Sequence, residues 1–221
     1  MLKSINIKSL SLTVSALALS TSVNAAIISA DWLAADDNLI TQDTSTGLEW
    51  LDLTATSSRS YNDVSAKLGS GDEFDGWRYA TEADVVGFFD SFGGDSNFYN
   101  GFSTQNNGLF DVIAPFWGDL YCKANTCAPG DGRSLFITGE AVNATTVSFG
   151  HIYDLSSNAN TVTKDLIIIT LSPPVDRFNG NASIGSALVR DIGVVPVPSA
   201  VWLFGSGLLG LFGVARRKLH S

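Results

Sequence analysis

Hydrophobic residues gather into one uncharged run near each end of this chain, with short, punctuated clusters between them. From Ile192 to Ala215 no residue carries a charge, and Arg216, Arg217 and Lys218 follow at once. A helix from Pro198 to Ala215 would rise about 1.5 Å per residue, roughly 27 Å, close to the ~30 Å hydrocarbon thickness of a bilayer. The pattern predicts a transmembrane helix over 199–215, with a basic tail, 216–221, on the cytoplasmic side of the inner membrane and the body outside it. At the other end, Lys3 and Lys8 precede the apolar run Leu10 to Leu19, and Val23-Asn24-Ala25 places small residues before Ala26. That order reads as a secretory signal peptide over 1–25, carried through the secretion translocon and cut between Ala25 and Ala26 by signal peptidase.

The body, 26–191, alternates short apolar clusters with turn residues. Leu48-Glu49-Trp50-Leu51 follows a Thr-Ser-Thr-Gly turn and predicts a strand. Ser60, with Asp63 three residues on, caps a helix that sets Tyr61, Val64 and Leu68 on one face before Gly69. Gly76 to Ala80 predicts a strand. Thr81 then starts a second helix with Glu82 and Asp84 in its first turn, a stripe of Val85, Phe88, Phe89 and Phe92, and Gly93-Gly94 at its end. From Asp95 to Arg133 the period is lost, and the stretch reads as a long loop region with one short helix or strand, a place for a binding surface. Ser134 to Thr138, Thr145 to Tyr153, Asp165 to Leu171 and Ser186 to Arg190 predict strands. Two helices early and strands late argue for one α+β domain with an antiparallel sheet, followed by a linker over 192–198.

Charge sharpens this picture. All 22 acidic residues lie in the body against eight basic ones, a net −14 compared with −9 for the whole chain. Such a body repels nucleic acid and anionic lipid and stays soluble outside the cell. Cys122 and Cys127 are the two cysteines, and in an oxidising exterior they form a local disulfide. A zinc site would need two further ligands, and His151 is the one histidine of the body.

The tail, with Pro196-Val197-Pro198, an apolar helix and a basic cluster, resembles the PEP-CTERM sorting signals of Gram-negative bacteria, with valine where the family name has glutamate. The resemblance implies an exosortase as partner, which would cut near the proline motif and pass the protein from the inner membrane to the cell surface or an extracellular polysaccharide matrix. A permanent membrane anchor is the alternative. Within the body, Asp43, Thr46-Gly47-Leu48-Glu49-Trp50, the helix around Tyr61 to Leu68, Gly76-Trp77-Arg78 and Thr81-Glu82 resemble the Lcl C-terminal-like domains. That resemblance implies a C-type lectin-like fold. Its signature residues here are Gly47, Leu48, Trp50, Gly76, Trp77 and Arg78. On a strand Trp77 would point inward and Arg78 outward, leaving Arg78 to pair with an acid such as Asp43, Glu49 or Glu82 as a tether.

Candidate chemistry is sparse. The Glu-Pro-Asn, Gln-Pro-Asp and Trp-Asn-Asp tripeptides of calcium-dependent sugar sites do not occur. Asp72-Glu73-Phe74-Asp75-Gly76 has oxygen ligands without the spacing of a calcium loop, so no cofactor is expected and calcium is a weak alternative. Phe98, Tyr99, Trp117 and Tyr121 are the loop aromatics that either stack on sugar rings or pack on the core. No nucleophile-and-base motif stands out, and His151 in a strand-like run reads as a packed residue. The expectation is a non-catalytic, exported binding or structural module associated with exopolysaccharide, with no catalytic or metal residue. The alternative is a carboxylate-dependent glycan hydrolase.

Overall fold

A computed structural model describes residues 26–122, 127–171 and 173–193. The signal peptide up to Ala25, the Pro196-Val197-Pro198 motif, the helix expected over 199–215 and the Arg216, Arg217, Lys218 cluster lie outside the described residues.

The early elements follow the local signals. β1 (Ile27–Ala30), β2 (Ile40–Asp43) and β3 (Leu48–Leu51) form an antiparallel meander. The turn between β2 and β3 closes on Asp43, whose carboxylate accepts the Ser45 and Thr46 N–H groups, and on Gly47 at φ 74°, a left-handed conformation that suits glycine. Ser60 accepts the Asp63 N–H and starts α1 (Tyr61–Ser65), which ends earlier than the Leu68 that its sequence pattern suggests. β4 (Arg78–Tyr79) leads into α2 (Glu82–Ser91), where Thr81 and Asp84 form a reciprocal capping box. Val85, Phe88 and Phe89 are its buried stripe.

The region read as a long loop is more ordered than expected. It holds β5 (Gly101–Ser103) and a nine-residue helix, α3 (Leu109–Trp117), that buries Leu109, Phe110, Ile113 and Trp117. Its amino end lacks a local side-chain cap; instead the carboxylate of Asp165 accepts the Gly108 and Phe110 N–H groups from across the fold. β6 (Gly132–Ala141), β7 (Thr146–Asp154), β8 (Asp165–Ile168) and β9 (Val175–Asp176) follow. β10 (Ile184–Ser186) and β11 (Leu188–Asp191) complete the domain.

Two sheets result rather than one. The first runs β1-β2-β3-β11-β4, and the second β10-β6-β7-β8-β5, with β9 paired to β7. The expectation of an antiparallel sheet is corrected at one place, because β10 pairs with β6 in parallel. Residues 184–191 explain this: one extended segment serves the second sheet as β10 and then the first as β11. Ala187, between the two, donates to the Ile137 carbonyl and accepts from Ala80, so the sheets are hydrogen-bonded through it.

Alternation along the strands then fills two cores. Trp50, Phe136 and Val189 pack against α2 and α3, with Trp50 4.3 Å from Phe88 and Trp117 4.9 Å from Phe136 between ring centroids. Their neighbours Leu51, Leu135, Ile137 and Leu188 face the other way, onto Val64, Phe74, Trp77 and Tyr79. Both ends of the domain leave at the β2–β3 turn. The Ala26 N–H donates to Thr44 Oγ1 (2.7 Å), and the Ile192 N–H to the Gly47 carbonyl (2.9 Å).

Candidate functional site

Past the far end of β3 the chain makes a 3-10 turn, Leu53–Thr56, and reaches Ser58 at φ 67°. Arg59 follows, with its guanidinium fixed on three sides. It donates to Asp63 (2.7 Å) and, through two N–H groups, to Glu73 (2.7 and 3.0 Å), and it lies 4.9 Å over the Phe74 ring. The loop between β9 and β10 packs onto this turn. The Ser58 N–H donates to the Asn181 carbonyl, and the Asn62 N–H to that of Arg177. The Arg177 side chain returns to Asn62 Oδ1 and covers Tyr61. Gly180 sits so close to the Ser58 carbonyl that a Cβ there would lie 2.1 Å from it.

Between loop and turn lies a cleft of about 200 Å³ with an apolar floor of Ile137, Val175 and Ile184. Its rim carries Arg59, Asp176, Asn179 and Asn181. Asn179 donates its Nδ2 to Asp176 (2.9 Å), which leaves an amide oxygen; Asn181 accepts the Ser183 N–H at Oδ1 (2.8 Å), which leaves an amide NH₂. Phe178, on the same loop, is 60% exposed. Of these rim residues, the sequence marks Asn181 alone, as the start of an Asn-Ala-Ser sequon, and that pattern says nothing of a cleft. The other signal available was the Asp-Arg-Phe-Asn-Gly-Asn run, which announces a turn but not what it packs against.

Carboxylates meet elsewhere. Asp154 and Asp165 are cross-strand partners on β7 and β8. Burial, then Asp165, Asp111 and Asp131, push the Asp154 carboxyl up to about 6, and burial also raises Asp165. Their exposures of 7% and 1% keep both from a polymer in solvent, and Asp165 is already engaged with α3. His151 is 5% exposed, and its Nδ1 lies 3.0 Å from Arg133 Nη2, so Nδ1 accepts and the ring proton sits on Nε2. Burial and the neighbouring Arg133 hold it neutral down to about 4. Arg133 itself lies over the Tyr121 and Tyr153 rings.

The residues that carry the Lcl-like resemblance fall mostly in the packed part of the fold. Leu48, Trp50 and Trp77 are buried, Gly47 and Gly76 take positive φ, and Trp77 lies under the Arg190 guanidinium at 4.5 Å. Arg78 points outward and pairs with Asp84 at 2.7 Å. The expected partners are engaged otherwise: Asp43 in its turn, Glu49 with Arg190, and Glu82 with the Ser148 and Thr170 hydroxyls. Glu73 of the acidic run faces Arg59 and Lys67, and Asp75 accepts the Gly71 N–H. Of the loop aromatics, Trp117 is buried and Tyr99 packs on Phe89, whereas Phe98 and Tyr121 are exposed. Cys122 and Cys127 are disulfide-bonded. Among the described residues no cluster of His, Cys, Asp or Glu is placed to hold a metal, and no helix is long and apolar enough to cross a membrane.

Comparison with known families bears on the tail. Residues 194–218 match the PEP-CTERM protein-sorting motif. The match begins one residue after the last described residue of the body and includes Pro196, Val197, Pro198 and the Arg216, Arg217, Lys218 cluster. It supports an exosortase-sorted, exported precursor processed for the cell surface. No curated protein and no solved structure matches the chain.

Proposed function

We propose that the chain is a cell-surface or extracellular-matrix protein whose body, 26–191, is a non-catalytic, C-type lectin-like module associated with exopolysaccharide and working without a bound metal. The sorting-motif match over 194–218 carries the reading, because it supports export and exosortase sorting to the cell surface, where exopolysaccharide is the proposed surroundings. The solvent-facing cleft, apolar at its floor and polar at its rim, is consistent with binding rather than turnover. The perturbed carboxyls, Asp154 and Asp165, are buried away from any polymer. The α+β body with Trp50 and Trp77 as inward anchors agrees with the lectin-like resemblance, and both ends leaving at one turn suit a domain held by its tail.

The test follows the chain's termini in cells with and without an active exosortase. Mass spectrometry of surface material should find Ala26 at the start and a new carboxyl end near Pro198. Loss of the exosortase should leave the uncut chain in the inner membrane. An uncut chain in the inner membrane of both strains would make the helix a permanent anchor. An intact chain in the cytosol would overturn the reading altogether.

A further inference from the structure

The geometry points to the cleft between Arg59 and the 176–184 loop as a binding site for a neutral, hydroxyl-rich glycan segment, presented at the end of the body opposite the sorting tail. This rests on the exopolysaccharide reading and names its site and ligand class. Three independent features agree.

The first is the lining. A pyranose ring has apolar C–H faces and an edge of hydroxyls that each donate and accept. The floor of Ile137, Val175 and Ile184 meets the faces, and Phe178, next to Asn179 in the chain, offers an exposed aromatic ring on the same loop. The amide oxygen of Asn179 and the amide NH₂ of Asn181 supply one acceptor and one donor for neighbouring hydroxyls.

The second is charge. Arg59 is the one cation of the rim, and Asp63 and Glu73 already neutralise it. With a body at −14, an anionic polymer is repelled over the whole surface. A neutral chain meets no such penalty. The loop is also held before any ligand arrives, by the Ser58–Asn181 and Asn62–Arg177 hydrogen bonds, so little ordering is left to oppose binding.

The third is position. β11 runs from Leu188 to Asp191 beside the turn where the tail departs, and Ile184 lies at the other end of the same extended segment. At about 3.3 Å per residue, Ile184 and Asp191 are separated by up to roughly 23 Å. A domain tethered through residue 194 therefore holds the cleft away from its attachment.

The full chain in non-ionic detergent, with EDTA present throughout, is run in native gels containing hydroxyethylcellulose, dextran or alginate. At least one neutral polymer should slow it, and alginate should not. Asn179→Ala with Asn181→Ala should weaken that retention at least about tenfold, the loss of one or two hydrogen bonds. Phe178→Ala should weaken it also, and its exposed ring makes that variant safe for folding. No retention by any of the three polymers defeats both the site and the exopolysaccharide reading, whereas retention by alginate alone defeats the neutral-glycan site and leaves the exopolysaccharide reading standing. Retention by a neutral polymer that survives all three substitutions defeats the cleft while the exopolysaccharide reading stands.

Discussion

The two ends of the body are made in different ways. At the tail end, one turn does the work: Asp43 gathers the Ser45 and Thr46 N–H groups, Gly47 takes a positive φ, and Ala26 and Ile192 both attach there. At the cleft end, Arg59 and the 176–184 loop are far apart in the chain and meet only through tertiary contacts. Closure by neighbours needs little help from the rest of the fold, whereas closure by distant segments depends on everything between them. The segment 184–191 joins the two ends and should be the point where both fail together.

Gly185→Ala tests that joint and carries the largest expected effect. A Cβ there would lie 2.5 Å from the Leu53 carbonyl oxygen and 2.9 Å from Leu53 Cα, and neither backbone atom can step aside. A loss of about 1–3 kcal/mol is expected, with a single melting transition shifted downward. Two separate transitions, one per end, would show that the ends are independent.

Asp43→Ala should cost less, about 1–2 kcal/mol, through the turn hydrogen bonds it removes. Burial by itself would raise the Asp43 pKa, but the Ser45 and Ser91 hydroxyls outweigh it and keep the carboxylate charged. Amide exchange should accelerate in β1 and the 43–47 turn and stay slow around Asn181. Equal acceleration at the cleft would erase the contrast between local and distant closure.

What the sequence made legible follows the same division. Ser60, and Thr81 with Asp84, announce α1 and α2 because each cap lies within one turn of the residues it serves. The sequence allows one short helix or strand between Asp95 and Arg133 but does not place α3, because its cap is the distant Asp165 and Pro115 lies inside it. Parallel pairing of β10 with β6 leaves no local mark. The rim residues Asn179 and Asn181 look like ordinary turn formers until the Arg59 segment is brought beside them. Strand alternation gives the outward direction of Arg78 but not its partner, because Asp84 reads in the sequence as a helix-cap acid.

Acidity separates a third region from both ends. With the Asp154 carboxyl raised to about 6, the folded chain holds that proton more tightly than the unfolded one. The stability it contributes is present in acid and lost as pH rises through about 6. Asp154→Asn removes the loss, so the variant should melt about 2–4 °C above the parent at pH 7, with the gap closing by pH 4. His151 works in the opposite direction, losing stability as pH falls from its ordinary 6.5 towards about 4. The variant-minus-parent difference is therefore the readout. A gap that does not change with pH would remove the titration of Asp154 from the account.

The smallest effect belongs to Arg78, and it asks whether the signature dipeptide serves the scaffold or a ligand. Its pair with Asp84 is half exposed on the arginine side, so Arg78→Ala should cost under about 1 kcal/mol. Asp84→Ala should cost more, about 1 kcal/mol or above, since the same carboxylate also accepts the Thr81 N–H and hydroxyl in the capping box of α2. Ordered that way, with glycan retention unchanged, the two variants place Arg78 as a tether between β4 and α2. An Arg78→Ala chain that melts as the parent does but is no longer slowed by a neutral polymer would make Arg78 a ligand contact and move the binding surface from the cleft towards β4.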